Sequence, residues 1–378
     1  MRALHLTGAE VLRDGRLAPG GIALAGGRLI DTPPADARRV DLTGFRVLPG
    51  IVDAHGDGFE RHLAPRRGAL ADLGAGLAAA EAELAANGIT TAVLAQFWSW
   101  EGGMRSPDFA RRVLAALDAF DAGGTDLRAQ LRLETHMLDD YAAVEEAVAA
   151  HGVGYLVFND HLPHARLAEG RKPPRLTGQA LKSGRSPEAH LALMQRLSAR
   201  GPEVPAALDA LAARLGARGV TLGSHDDRTA GDRAAWRARG VTVAEFPETR
   251  AAAEAAAAAG DPVVMGAPNV VRGGSHDGKV AAEALVAEGL VTALASDYHF
   301  PALRQAALRL APRIGLARAW AAISERPAAM LGLDDRGRLA PGLRADFVVT
   351  DAAGRIGATF AAGMPRYMAG PVAARFLA

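Results

Sequence analysis

The chain has 378 residues, 49% of them apolar, with 43 basic against 42 acidic residues and no cysteine. That length suits one barrel plus a small accessory domain, and that apolar share can fill a large core. The charge balance provides no field of one sign for nucleic acid or a membrane surface. Without cysteine, disulfide and thiolate chemistry are excluded, so any metal must sit on histidines and carboxylates.

Residues 1–49 read as short strands broken by turns. Ala3–Leu6, Gly21–Ala25, Arg28–Ile30 and Arg46–Leu48 are apolar or alternating, with Gly20-Gly21, Gly26-Gly27 and Pro33-Pro34 as punctuation. Met1–Leu12 lacks a basic leader followed by an apolar run. No stretch reaches ~18 uninterrupted apolar residues. The expectation is therefore a soluble cytoplasmic protein without membrane or nucleic-acid partners, its oligomeric state left open.

From Pro49 the pattern changes. Short apolar runs recur at Gly50–Ala54, Thr90–Ala95, Leu131–Thr135, Tyr155–Phe158, Val220–Gly223, Val241–Phe246, Pro262–Gly266 and Val291–Ala295. Helical stretches lie between them, such as Leu73–Asn87, Pro107–Phe120, Tyr141–Ala150, Thr249–Ala259 and Val280–Glu288. Continuous apolar runs signify strands buried on both faces, as in a parallel sheet. Eight of them alternating with helices predict a (β/α)₈ TIM-like barrel over residues 50–338. The proline-containing, basic segment His164–Ser186 reads as a long loop. Strand character returns at Arg344–Thr350 and Gly354–Phe360. Residues 1–49 and 339–378 are thus expected to form one small β-sandwich domain.

In such a barrel the functional groups sit at the C-terminal ends of the strands. The first run ends in Asp53-Ala54-His55-Gly56-Asp57, and the third carries Glu134 and His136. The fourth ends in Asn159-Asp160-His161, the fifth in Ser224-His225-Asp226-Asp227 and the eighth in Ser296-Asp297-Tyr298. A lone histidine at a strand end is more often a hydrogen-bonded structural residue than a ligand. The coincidence across five strand ends points to a metal site on His55, Asp57, Glu134, His161, His225 and Asp297. Asp297 also admits a structural role as the N-cap of a helix starting near Pro301.

Several longer motifs carry a resemblance. Val47-Leu48-Pro49-Gly50-Ile51-Val52-Asp53-Ala54-His55 resembles the opening of the amidohydrolase superfamily barrel, and Arg344-Ala345-Asp346-Phe347-Val348-Val349 its C-terminal β-return. Other stretches resemble the superfamily's phosphonate-metabolism branch. They are His55-Gly56-Asp57-Gly58-Phe59-Glu60-Arg61-His62 with Pro65-Arg66, Gly223-Ser224-His225-Asp226-Asp227-Arg228-Thr229, Glu245-Phe246-Pro247, Ser296-Asp297-Tyr298, and the long Met265–His276 segment. The branch pattern is Asp-Asn-Leu-Glu where Asp57-Gly58-Phe59-Glu60 stands, and Met-Asp-His-Thr-Pro-Gly-Gln where Asn159–Ala165 stands. The ligands survive and the substrate-facing loops vary.

The resemblance implies hydrolysis of α-D-ribose 1-methylphosphonate 5-triphosphate to the 5-phosphate and pyrophosphate, so the partner is a phosphorylated small molecule. It implies one or two divalent ions, zinc foremost with manganese or iron as alternatives. His55, Asp57 and Asp297 would hold one, His161 and His225 the other, with Glu134 as bridge. Asp297 would orient the attacking hydroxide and take its proton. The segment Arg272-Gly273-Gly274-Ser275-His276 is expected to cradle phosphate with a guanidinium, backbone amides and a following helix N-terminus. Arg61 and Arg66 are further phosphate candidates. Arg67 and the basic residues of the long loop could equally form a solvated face, and His62, His136 and His164 read as structural or supporting. Two alternatives remain: hydrolysis of a C–N bond in a cyclic amide or N-acyl substrate by the same metals, and a non-catalytic scaffold of the same fold.

Overall fold

The computed structural model describes residues 2–66, 69, 72–274 and 280–378. Two eight-stranded sheets organise it. The first takes β1 (Leu4–Arg13), β2 (Arg16–Ala25), β3 (Arg28–Ile30), β4 (Arg38–Asp41) and β5 (Arg46–Pro49) from the chain start. The second is built from β6 (Ile51–Gly56), β7 (Ile89–Trp98), β8 (Asp126–Glu134), β9 (Tyr155–Asn159), β10 (Thr221–His225), β11 (Val243–Glu245), β12 (Val263–Gly266) and β13 (Ala293–Ala295). β14 (Phe347–Thr350), β15 (Ile356–Ala361) and β16 (Met364–Met368) then return to the first sheet.

The second sheet keeps strict sequential order from β6 to β13. A parallel bridge between Gly56 and Asp297 ties its first strand to a residue two positions beyond its last. This is the (β/α)₈ barrel that the apolar runs predict. All ten residues of β7, all six of β6 and all five of β9 are buried, which is why these strands read as unbroken apolar runs.

The chain divides into two compact units. One comprises Met1–Leu94, Phe120–Arg128 and Pro262–Ala378, the other Ala95–Ala119 and Ala129–Asp261. Within the first, β14 pairs antiparallel with both β5 and β15, so the two chain ends share a sheet. Its core includes Leu6, Val11, Leu42, Phe347, Phe360 and Phe376, with the Phe347 and Phe360 rings stacked at 4.5 Å. β5 runs through Gly50 into β6, and the Trp320 indole donates to the Pro49 carbonyl at 2.9 Å.

The second unit has its own core, centred on Trp98, Leu131, Leu133, Phe158, Leu211 and Leu222. Beneath the end of β10 the Arg233 guanidinium, 2% exposed, donates to Ser224 Oγ, to Asp227 Oδ2 at 3.0 Å and to Asp261 Oδ2 at 3.0 Å. It also donates to the carbonyls of Val241 and Thr242.

Three segments depart from the sequence reading. β1 and β2 form a ten-residue hairpin pair in which Gly8 and Gly20-Gly21 do not end the strands. The register shifts between Leu6 and Ala9, and a Cβ at Gly21 would collide with the Leu6 carbonyl, so these glycines permit close pairing. His164–Ser186 is not one loop: it contains helices His164–Ala168 and Leu176–Ser183. Leu176 and Ala180, one helical turn apart, are buried, and Leu176 packs with Trp100, Leu162 and Met194, while Arg166, Arg171, Lys172, Arg175 and Lys182 lie outside and make the segment look loop-like. The stretch after β12 is helical from Ala267 to Arg272.

Candidate metal centre

The strand ends supply the candidate ligands, and the first unit holds three of them. His55 is fully buried near the end of β6. Two residues upstream, the buried Asp53 carboxylate accepts from the Ser296 amide at 3.0 Å, the Ser296 hydroxyl at 2.5 Å and the His55 amide at 3.3 Å. Burial dominates and pushes Asp53 above the ordinary aspartate value, against these hydrogen bonds. Gly56 is required in this seam, because a Cβ would lie 2.8 Å from both Asp53 Oδ2 and Ser296 Oγ.

Asp297 is held by its backbone. Its amide donates to the His55 carbonyl at 3.0 Å, and its carbonyl accepts from the Asp57 and Gly58 amides at 2.9 and 3.2 Å. The main chain thereby brings Asp57 and Asp297 beside His55. Asp297 has φ 55°, a left-handed conformation sparsely populated by L-residues. The helix that follows spans Ala302–Ile314 and has Pro301 at its N-cap with no side-chain cap, so the capping role for Asp297 does not hold. Asp226 and Phe246, directly after β10 and β11, share the left-handed conformation at φ 62° and 53°. Strain of this kind collects at functional sites.

The second unit holds the other three. The Glu134 carboxylate, 1% exposed, lies 2.5 Å from His161 Nδ1 and accepts from the His161 amide at 3.0 Å and the Trp100 indole at 3.2 Å. Burial alone would raise its carboxyl, but the His161 ring and charge, helped by the amide and indole, hold it below the ordinary value. His161 and His225 face each other with ring centroids 6.5 Å apart. Burial, reinforced by Arg132, pushes His225 below the ordinary histidine value and favours the neutral ring that ligates metal. Arg132 NH2 lies 3.0 Å from His225 Nε2. Arginine can only donate, so Nε2 presents its lone pair there, the pair an ion would take in place of Arg132, while Nδ1 lies 3.0 Å from Asp226 Oδ2.

Sequence reasoning missed part of this machinery. Gln130, Arg132 and Glu134 alternate along β8 and reach Glu245, His225 and His161 respectively. Their i, i+2, i+4 spacing was the available signal. Glu245 is fully buried, accepts from Gln130 and from the Tyr155 hydroxyl, each at 2.9 Å, and has Oε2 3.9 Å from His225 Nε2. A separate group of His136, Asp160 and His164 brings three ligand atoms within 4.8 Å of one another.

The phosphate candidates are placed differently. Arg272 ends its helix, is exposed, and donates to the Tyr298 hydroxyl. The Gly273 and Gly274 amides donate to the Val270 and Asn269 carbonyls and so cap the helix C-terminus. They therefore do not offer a cradle of exposed amides. Ser275 and His276 lie outside the described residues. Arg61 pairs with Glu83 and donates to the Tyr298 carbonyl at 3.1 Å, and Arg66 is exposed. Among the described residues no helix is long and apolar enough to cross a membrane.

Within the second unit the Glu134 carboxylate, His161 and the buried His225 are donor types that fit a divalent cation, and within the first unit His55, Asp57 and Asp297 are as well. The barrel with candidate ligands at its strand ends has the architecture of the amidohydrolase superfamily, and a sequence relative assigns the chain to a hydrolase family. The chain is 33% identical over 324 residues to the α-D-ribose 1-methylphosphonate 5-triphosphate diphosphatase of Escherichia coli (strain K12), covering 82% of this chain and 84% of that protein. It belongs to that family. An N-acetyl-D-glucosamine-6-phosphate deacetylase from Mycobacterium smegmatis, solved with N-acetyl-D-glucosamine-6-phosphate, shares the fold at TM-score 0.65 and 20% identity over 97% of this chain and 100% of its own. An amidohydrolase at TM-score 0.65 and 16% identity covers 98% of this chain and 100% of its own. No protein-family model matches the chain.

Proposed function

We propose that the protein is a metal-dependent diphosphatase that releases pyrophosphate from α-D-ribose 1-methylphosphonate 5-triphosphate in phosphonate metabolism. The observation that carries this reading is its 33% identity, over 82% of the chain, to a relative bearing that activity in its name. Water adds to one phosphorus of the triphosphate and the pyrophosphate leaves, giving the 5-phosphate.

His55, Asp57 and Asp297 are the proposed ligands of one divalent ion, zinc foremost, and Glu134, His161 and His225 those of a second. Such ions supply a bound water that ionises near neutral pH. The chain's own part is to hold the donors in place. The amide and carbonyl of Asp297 lock its residue beside His55, and its carboxylate is the group proposed to orient the water and accept a proton. Glu134 keeps its negative charge through His161. Arg61, Arg66 and Arg272 supply the exposed positive charge for phosphate, and the substrate is handled without nucleic acid or membrane.

The test is steady-state turnover of the purified protein on the triphosphate, read as pyrophosphate, beside N-acyl sugar phosphates and cyclic amides. Pyrophosphate release in preference to amide cleavage is expected. Cleavage of the amides alone overturns the reading in favour of C–N hydrolysis, a chemistry carried by the deacetylase of the same fold. Inactivity of metal-loaded protein on every substrate would mark a scaffold.

Two substitutions probe the parts. Glu134→Gln removes a buried anionic donor, so metal affinity and activity should fall together, each on the order of tenfold. Elemental analysis beside the assay checks this, and full loading with full turnover would take Glu134 out of the site. Arg272→Ala removes an exposed charge-assisted contact worth ~1.5 kcal/mol, so kcat/KM for triphosphate should drop about tenfold. A neutral ester with the same leaving group should lose far less. Equal losses on both would mean that Arg272 serves only to brace Tyr298.

A further inference from the structure

We propose that His136, Asp160 and His164 form a further divalent-cation site, distinct from the Glu134–His161 pair and open to solvent. His136 follows β8 and is 6% exposed. Its Nδ1 lies 3.7 Å from Asp160 Oδ1, which belongs to the residue after β9. His164 opens the helix His164–Ala168, and its Nε2 lies 3.0 and 2.8 Å from the two oxygens of the same carboxylate. The two imidazoles face each other at 5.0 Å between centroids. The Leu162 amide donates to Asp160 Oδ1 at 3.2 Å and fixes the carboxylate between them.

Two imidazoles and one carboxylate are the donor set of open zinc sites and of other borderline divalent ions. Bonds of ~2.1 Å at tetrahedral angles need donors ~3.4 Å apart. The two carboxylate–imidazole separations bracket that value. The wider imidazole pair, within 4.8 Å, closes by rotation of His164, whose side chain is 47% exposed and free to turn. His136, by contrast, is anchored by burial and has the Thr135 hydroxyl 3.3 Å from Nδ1. Two held donors, His136 and Asp160, and one adjustable donor, His164, suit an ion that exchanges with solvent and keeps coordination positions for water.

The site is tested by titrating chelator-stripped full-length protein with cobalt(II), counting ions bound and following the visible absorption. The wild type should bind one ion more than His164→Ala, and the same ion should be absent from His136→Ala. Glu134→Gln should retain it, which separates this site from the proposed catalytic metals. His164 is exposed, so its substitution does not threaten the fold if the His136 variant proves unstable. Equal stoichiometry and equal spectra in wild type and His164→Ala would overturn the proposal and leave a hydrogen-bonded His164–Asp160 pair.

Discussion

Asp297→Asn should keep the fold and most of the metal while turnover falls about 10²-fold or more, the scale of a positioned acid–base group. Its amide and carbonyl tie this residue to His55, Asp57 and Gly58, and asparagine keeps those backbone ties. Asparagine tolerates the left-handed backbone at φ 55° about as well as aspartate, so the substitution adds little strain. The change removes an anionic proton acceptor and leaves the backbone ties in place. Thermal melting, metal content and kcat measured on one preparation decide the matter. An unchanged melt with unchanged kcat would remove Asp297 from the chemistry. A collapsed melt, with normal activity in the folded fraction, would make it structural.

Arg233→Ala should destabilise the second unit by ~3–5 kcal/mol, the cost of leaving buried charges without their partner. The guanidinium is 2% exposed and joins Asp227, Asp261 and Ser224 with two backbone carbonyls. Alanine removes every one of those donors. Asp261 keeps Arg237, but among the described residues Asp227 keeps Ser224 as its one side-chain partner. Activity should fall as well, because Ser224 adjoins His225. Urea unfolding followed by a probe in this unit checks the prediction through its midpoint. Combining Arg233→Met with Asp227→Asn and Asp261→Asn should recover much of the loss, since the stranded charges go too. A midpoint within error of the wild type for Arg233→Ala would show that the network contributes nothing net.

These two residues mark the boundary between what local pattern encodes and what it does not. Asp297 could be picked out because it ends an apolar run, and in a parallel barrel the end of a run is where chemistry sits. Arg233 lies within the helix Ala230–Ala238 and looks like any helix-surface arginine. Nothing local tells that its partner Asp261 lies 28 residues away across a buried gap.

The sequence by itself determined the eight buried strands and their order, the pairing of the two chain ends, and which candidate donor groups stand at the strand ends. Each is a local property: continuous apolarity reports burial on both faces, and a ligand's place at a strand end is counted along the chain. Only the tertiary structure decided the rest. It placed Arg132 against His225 and Glu245 among Gln130, Tyr155 and His225. It engaged the Gly273 and Gly274 amides in a helix end rather than a phosphate cradle. It folded helices into a stretch whose exposed face is basic, and it brought His164 onto Asp160 beside His136. The physical reason is common to all of these. Desolvation, charge pairing and the engagement of a backbone amide depend on which side chains meet across separate strands and helices, and periodicity within one segment carries no information about its neighbour in space.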